Sequence, residues 1–147
     1  MPIVVIGHLS AGEDKTVDGY LIDFGYDPAE PQSGQKTVFA INLVNETTLE
    51  AIETDKLWIR ISSTKDSVFA GNLKPDYGNA AFTFAFPSAG KYEFALKFFK
   101  DENLLAETNF EVEAKENINF NYIYAAVLAA LAILFFAYRK KLFRPKK

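Results

Sequence analysis

Apolar and polar residues alternate with a period of two through most of the first 113 positions, the pattern of half-buried β-strands. Tyr20, Ile22, Phe24 and Tyr26 alternate with Leu21, Asp23 and Gly25 before Asp27-Pro28 ends the run. After a turn at Pro31-Gln-Ser-Gly34, Phe39, Ile41 and Leu43 share one face, opposite Val38, Ala40 and Asn42. Leu57, Ile59 and Ile61 alternate with Trp58, Arg60 and Ser62, and Val68 to Leu73 forms a weaker strand. Phe82, Phe84 and Phe86 alternate with Ala81, Thr83 and Ala85. Past Pro87-Ser-Ala-Gly90, Tyr92, Phe94, Leu96 and Phe98 alternate with Lys91, Glu93, Ala95 and Lys97. The last run sets Thr108, Phe110 and Val112 against Glu107, Asn109, Glu111 and Glu113.

One-sided alternation predicts antiparallel sheets, because strands of a parallel sheet are apolar on both faces. About seven short strands over residues 19–113 predict an all-β, Ig-like antiparallel sandwich. Its inward positions are rich in Phe, and burying each such side chain contributes about 1.5–3 kcal/mol. With no Cys in the chain, that apolar burial replaces a disulfide, and Cys-based metal or nucleophile chemistry is excluded.

A different pattern follows. Residues 122–138 contain no charge and read as one continuous apolar run, which predicts a single C-terminal transmembrane helix. Tyr122 and Tyr124 at one end and Tyr138 at the other are placed as aromatic membrane anchors, with Arg139, Lys140 and Lys141 as a basic stop. The competing assignment is a buried core helix. The predicted layout is an N-terminal segment over 1–18, a sandwich over 19–113, a linker over 114–121, the span and a basic tail over 139–147.

Charge sharpens this layout. Ten basic residues against nineteen acidic give residues 1–121 a net −9, and the other six basic residues all lie in the last nine positions. The positive-inside rule then puts the tail in the cytoplasm and the acidic domain at the outer face of the cell membrane. A tail-anchored protein with a cytosolic domain is the inverted alternative. Export of the domain needs a signal, and Met1 to Gly7 resembles only the end of an apolar h-region, so residues 1–18 are expected to carry the remnant of a signal peptide. A domain at −9 is a poor ligand for nucleic acid.

The segments Gly19-Tyr-Leu-Ile-Asp-Phe-Gly-Tyr-Asp-Pro28, Pro31-x-x-Gly34 and Pro87-Ser-Ala-Gly-Lys-Tyr92 resemble small membrane-tethered Ig-like domains of the YtkA/FixH type over residues 19–113. The resemblance implies a bacterial envelope protein, with copper handling or oxidase assembly as functions found among its members. Copper sites of that kind use Met and His, whereas this chain holds one Met, at position 1, and one His, at position 8.

Candidate chemistry is sparse. His8 is the metal candidate: cleavage before it would let its amine and imidazole chelate copper, with Glu13 or Asp14 adding oxygen. A Ser-His-Asp arrangement would have to draw its base from that same terminal His8. Asp101/Glu102 and Glu13/Asp14 are carboxylate pairs in polar turns, and Gly71, Gly78 and Gly90 are isolated rather than part of a phosphate loop. Trp58 and Arg60 point away from the core in the strand pattern and form the candidate partner-binding pair, two residue types enriched at interface hot spots. The competing arrangement is a cation–π contact between the two, or a covering loop. Asn45-Glu-Thr47 is a glycosylation sequon. Ala125, Ala129, Ala126 and Ala130 have the small-xxx-small spacing that lets helices pack closely.

The expectation is therefore a non-catalytic binding or accessory module at the outer face of a membrane, with no cofactor. Its partners would be the lipid bilayer and a larger membrane protein complex, or a second copy joined through the helix. Copper delivery through His8 is the alternative, and a structural cell-surface component the third.

Overall fold

The computed structural model describes residues 9–64, 66–117 and 120–142, in the last stretch with side chains at 122 and 124–139. The chain divides into two compact units, residues 1–117 and 118–147.

The first unit is an antiparallel two-sheet sandwich. Its strands are β1 (Ala11–Val17), β2 (Tyr20–Asp27), β3 (Lys36–Asn45), β4 (Lys56–Ser63), β5 (Ser67–Leu73), β6 (Asn79–Ala85), β7 (Gly90–Lys100) and β8 (Asn103–Ala114). One sheet has the order β1-β2-β3-β6 and the other β5-β4-β7-β8. The sequential hairpins are interrupted by two long-range pairings, β3 with β6 and β4 with β7, which interleave the two sheets in sequence.

The inward face of each strand is the apolar set of its alternation. Ile22, Phe24, Phe39, Ile41 and Leu43 from one sheet and Leu57, Ile59, Ile61, Phe94, Leu96, Phe98, Phe110 and Val112 from the other form one buried cluster. Aromatic rings join the sheets: Phe24 stacks on Phe110 at 4.6 Å, and Phe39 meets Phe94 at 4.8 Å. Such ring pairs add about 0.5–1.5 kcal/mol each beyond their burial. Tyr92 is buried at the start of β7, and its hydroxyl donates to the Ser88 carbonyl at 2.9 Å while accepting from the Ser88 N–H at 3.3 Å. That contact ties the β6–β7 corner to the core. Among the described residues Asp23 is the one buried acidic side chain, and Asn42 Nδ2 donates to its Oδ2 at 3.0 Å.

Among the described residues there are eight strands rather than about seven. β1 lies in the segment for which no strand was expected, because Glu13-Asp14-Lys15 breaks the apolar alternation. It pairs with β2 along its whole length, and Lys15 carries its ammonium 4.8 Å from the Phe110 ring. Charged residues on an edge strand also discourage further strand addition.

The described residues of the second unit form the helix α1 (Phe120–Leu142). The transmembrane span expected at 122–138 is corrected here: among the described residues no helix is long and apolar enough to cross a membrane. Within α1 the stretch from Tyr124 to Arg139 is rich in small side chains. Six of its residues are alanines, which add less to insertion than Leu, Ile, Val or Phe, and Tyr and Arg occupy its ends. Its larger apolar side chains, including Leu128, Ile133 and Phe136, are exposed in this chain.

Candidate functional site

β4 and β7 are the two central strands of their sheet, and their outward residues form the floor of a groove. In β4 the inward positions are taken by Leu57, Ile59 and Ile61, which forces Trp58 and Arg60 onto the outer face. The register places Asn72, Trp58, Lys97 and Glu107 in one row across β5, β4, β7 and β8. The next row is Ala70, Arg60, Ala95 and Asn109. Small Ala95 between longer neighbours leaves the depression: an open cavity of about 360 Å³ lined by Trp58, Arg60, Ala95, Lys97, Glu107 and Asn109. A second hollow of about 250 Å³, lined by Lys56, Asn72 and Phe99, adjoins it across Trp58 and Lys97.

Electrostatics define its character. The Arg60 guanidinium carbon lies 5.9 Å from the Trp58 ring centroid and Lys97 Nζ lies 5.8 Å from it, so the indole has two cations as neighbours. Lys97 is also paired with Glu107 at 2.9 Å. Among the described ion pairs none involves Arg60. An aromatic plane beside a guanidinium with free donors can take an apolar or planar group on the ring and a carboxylate on the fork. The groove holds no histidine and no cysteine, and its one carboxylate, Glu107, is occupied by Lys97.

Trp58 and Arg60 are thus together on the outer face, in the cation–π contact that the sequence offered as the competing arrangement; the ring is only half-buried and remains part of the groove wall. His8, the metal candidate, lies outside the described residues, and among the described residues no group of three or more His, Cys, Asp or Glu side chains could hold a metal. Ala125, Ala126, Ala129 and Ala130 lie exposed on α1, as do Tyr122, Tyr124, Tyr138 and Arg139; the side chains of Lys140 and Lys141 lie outside the described residues. The anchoring role expected of these aromatic and basic residues depended on the span. Asn45 of the sequon accepts from the Thr47 and Thr48 N–H groups at 2.9 Å, capping the turn after β3.

Lys97, Glu107, Asn109, Ala95 and Asn72 were not singled out in the sequence. Lys97, Glu107 and Asn109 did fall in the outward sets of their strands, but their proximity to Trp58 depends on β4 pairing with β7, a register separated by two intervening strands. Comparison with models of known protein families and with curated proteins gives no match for this chain.

Proposed function

We propose that this chain is a non-catalytic binding module whose recognition face is the outer surface of the β5-β4-β7-β8 sheet. The observation that carries this is the closeness of both Arg60 and Lys97 to half-buried Trp58 in the lining of an open groove. Trp and Arg are the residues that most often dominate protein–protein binding energy. The chemistry suits a partner segment that sets an apolar or aromatic side chain on the indole and an acidic one on the Arg60 fork. The proposal concerns the sandwich and requires no membrane-spanning helix.

The test is capture of a partner from an extract of the source cells, after mild crosslinking, with the wild-type chain and with the Trp58→Ala/Arg60→Ala variant. A partner recovered by the wild type and lost by an equally stable variant is the expected result. Equal recovery by both chains would place recognition elsewhere.

A further inference from the structure

Trp58 has a cation two residues before it and another two residues after it on the same strand. With Leu57, Ile59 and Ile61 turned into the core, the outer face of β4 reads Lys56, Trp58, Arg60 at a period of two. The strand rise sets the two cationic positions about 13 Å apart along β4. Lys56 Nζ lies 4.4 Å from the Phe99 ring centroid, much as Arg60 lies beside Trp58. Among the described ion pairs neither Lys56 nor Arg60 has a carboxylate, whereas Lys97 has Glu107.

Resting on the reading of this face as a recognition surface, we propose that the partner presents an acidic segment in extended conformation, with the pattern acid-x-apolar-x-acid. An extended chain puts residues i, i+2 and i+4 on one face with the same rise as the strand beneath it. Its first acid then meets Lys56, its apolar side chain the Trp58 ring, and its second acid Arg60. Because β4 is paired on both sides, with β5 and with β7, the segment lies on the face instead of adding to the sheet. Its backbone finds a carboxamide in each hollow, Asn72 in the one lined by Lys56 and Asn109 in the one lined by Arg60. Trp58 and Lys97 line both hollows, so one segment can occupy the two.

Charge decides for an acidic partner and limits where it sits. A basic segment would meet Lys56, Lys97 and Arg60 as like charges, an arrangement that rejects wrong partners. Further along the same face Glu93 and Glu111 stand opposite each other on β7 and β8, so the sign reverses beyond Arg60. The acidic remainder of the domain likewise repels such a segment, which confines it to the Lys56–Arg60 end. The pattern is symmetric and fits in either chain direction, with the Arg60 fork able to hold its carboxylate through two parallel hydrogen bonds.

Trp58 is the only tryptophan, so its emission reports binding to the full chain in mild non-ionic detergent. Three tryptophan-free peptides serve as probes. The first is Ser-Glu-Thr-Phe-Thr-Glu-Ser. The second, Ser-Thr-Glu-Phe-Glu-Thr-Ser, has the same composition and charge with each acid moved one place, so that the acids face away when the ring faces the sheet. The third, Ser-Lys-Thr-Phe-Thr-Lys-Ser, reverses the charge. The first should shift the emission at several-fold lower concentration than the second, the third should not bind, and added salt should weaken the effect. Lys56→Gln and Arg60→Gln should each weaken the first peptide several-fold, and Lys56→Glu with Arg60→Glu should transfer binding to the third. Equal binding of the two acidic peptides, no response to either at millimolar concentration, or an unchanged preference in the charge-reversed variant would overturn the acidic pattern. Capture of a partner that depends on Trp58 and Arg60 tests the recognition face separately, so failure of the pattern and failure of the face are told apart.

Discussion

Lys97 stands directly across the β4–β7 ladder from Trp58, with its ammonium 5.8 Å from the indole centroid and 2.9 Å from the Glu107 carboxylate. One lysine is therefore shared between an aromatic face and an acid. The Lys97–Glu107 pair is half-exposed, so it contributes only about 0–1 kcal/mol to stability. Its effect is to hold the ammonium at the groove wall beside the indole.

Because Trp58 is the only tryptophan, its fluorescence reports on this site alone. Lys97→Met should keep the aliphatic stem, cost less than about 1 kcal/mol, and shift the emission of Trp58. Unchanged emission in a folded variant would mean that Lys97 does not sit on the ring.

Trp58→Ala and Phe94→Ala should separate function from folding. Trp58 faces outward, and its loss should cost roughly 1 kcal/mol, the usual size of a point substitution. Phe94 is fully buried among Phe24, Phe39 and Phe86, and its truncation should cost about 3–5 kcal/mol. Urea unfolding of both variants checks the order; a Trp58→Ala loss as large as that of Phe94→Ala would make Trp58 a core residue.

Most of the sandwich was legible in the sequence, and the reasons are local. Phe39, Ile41 and Leu43, or Phe94, Leu96 and Phe98, show their inward face by period alone, and the same alternation put Trp58 and Arg60 outside. β1 was not legible, since Glu13, Asp14 and Lys15 occupy both of its faces. The groove was half legible: the β4 residues stood out by type, while Ala95 and Asn109 matter through a long-range register. The membrane span failed for a different reason. An unbroken uncharged run counts alanine and tyrosine alongside leucine and phenylalanine, so it overstates how strongly the segment favours lipid.

Tyr92→Phe isolates the corner contact. Its hydroxyl serves both the Ser88 N–H and the Ser88 carbonyl, and removing it should cost about 0.5–1.5 kcal/mol. Chemical denaturation measures this, and an unchanged midpoint would show the corner contributes nothing.

Gly78→Ala should be disproportionately damaging for so small a change. Gly78 has φ +79°, and an added Cβ would lie 2.6 Å from the Ile52 carbonyl oxygen and 2.9 Å from that of Leu43. Both obstacles are backbone, so the loss should exceed about 1 kcal/mol, the scale of a left-handed backbone penalty alone. A thermal midpoint equal to wild type would contradict the close approach.

Lys91 gives a pH signature. Its Nζ donates to Glu111 Oε1 at 2.7 Å, and this hydrogen bond, with the attraction of the same carboxylate, raises the lysine above its ordinary 10.5. A value raised on folding means that the contribution is complete below the ordinary lysine value and is lost as pH rises through the folded-state value. NMR titration of the Lys91 side chain should therefore place its transition above that of the same lysine in Glu111→Gln.

The central claim is that the Trp58 groove is where a partner binds, and site-specific photocrosslinking tests it most directly. A photoreactive phenylalanine analogue at Asn109, on the groove wall, and at Thr83, exposed on the opposite sheet, would each be illuminated in an extract of the source cells. The account predicts a discrete crosslinked partner from position 109 that disappears with Arg60→Ala, and none from position 83. A partner captured from position 83 and not from 109 would contradict it.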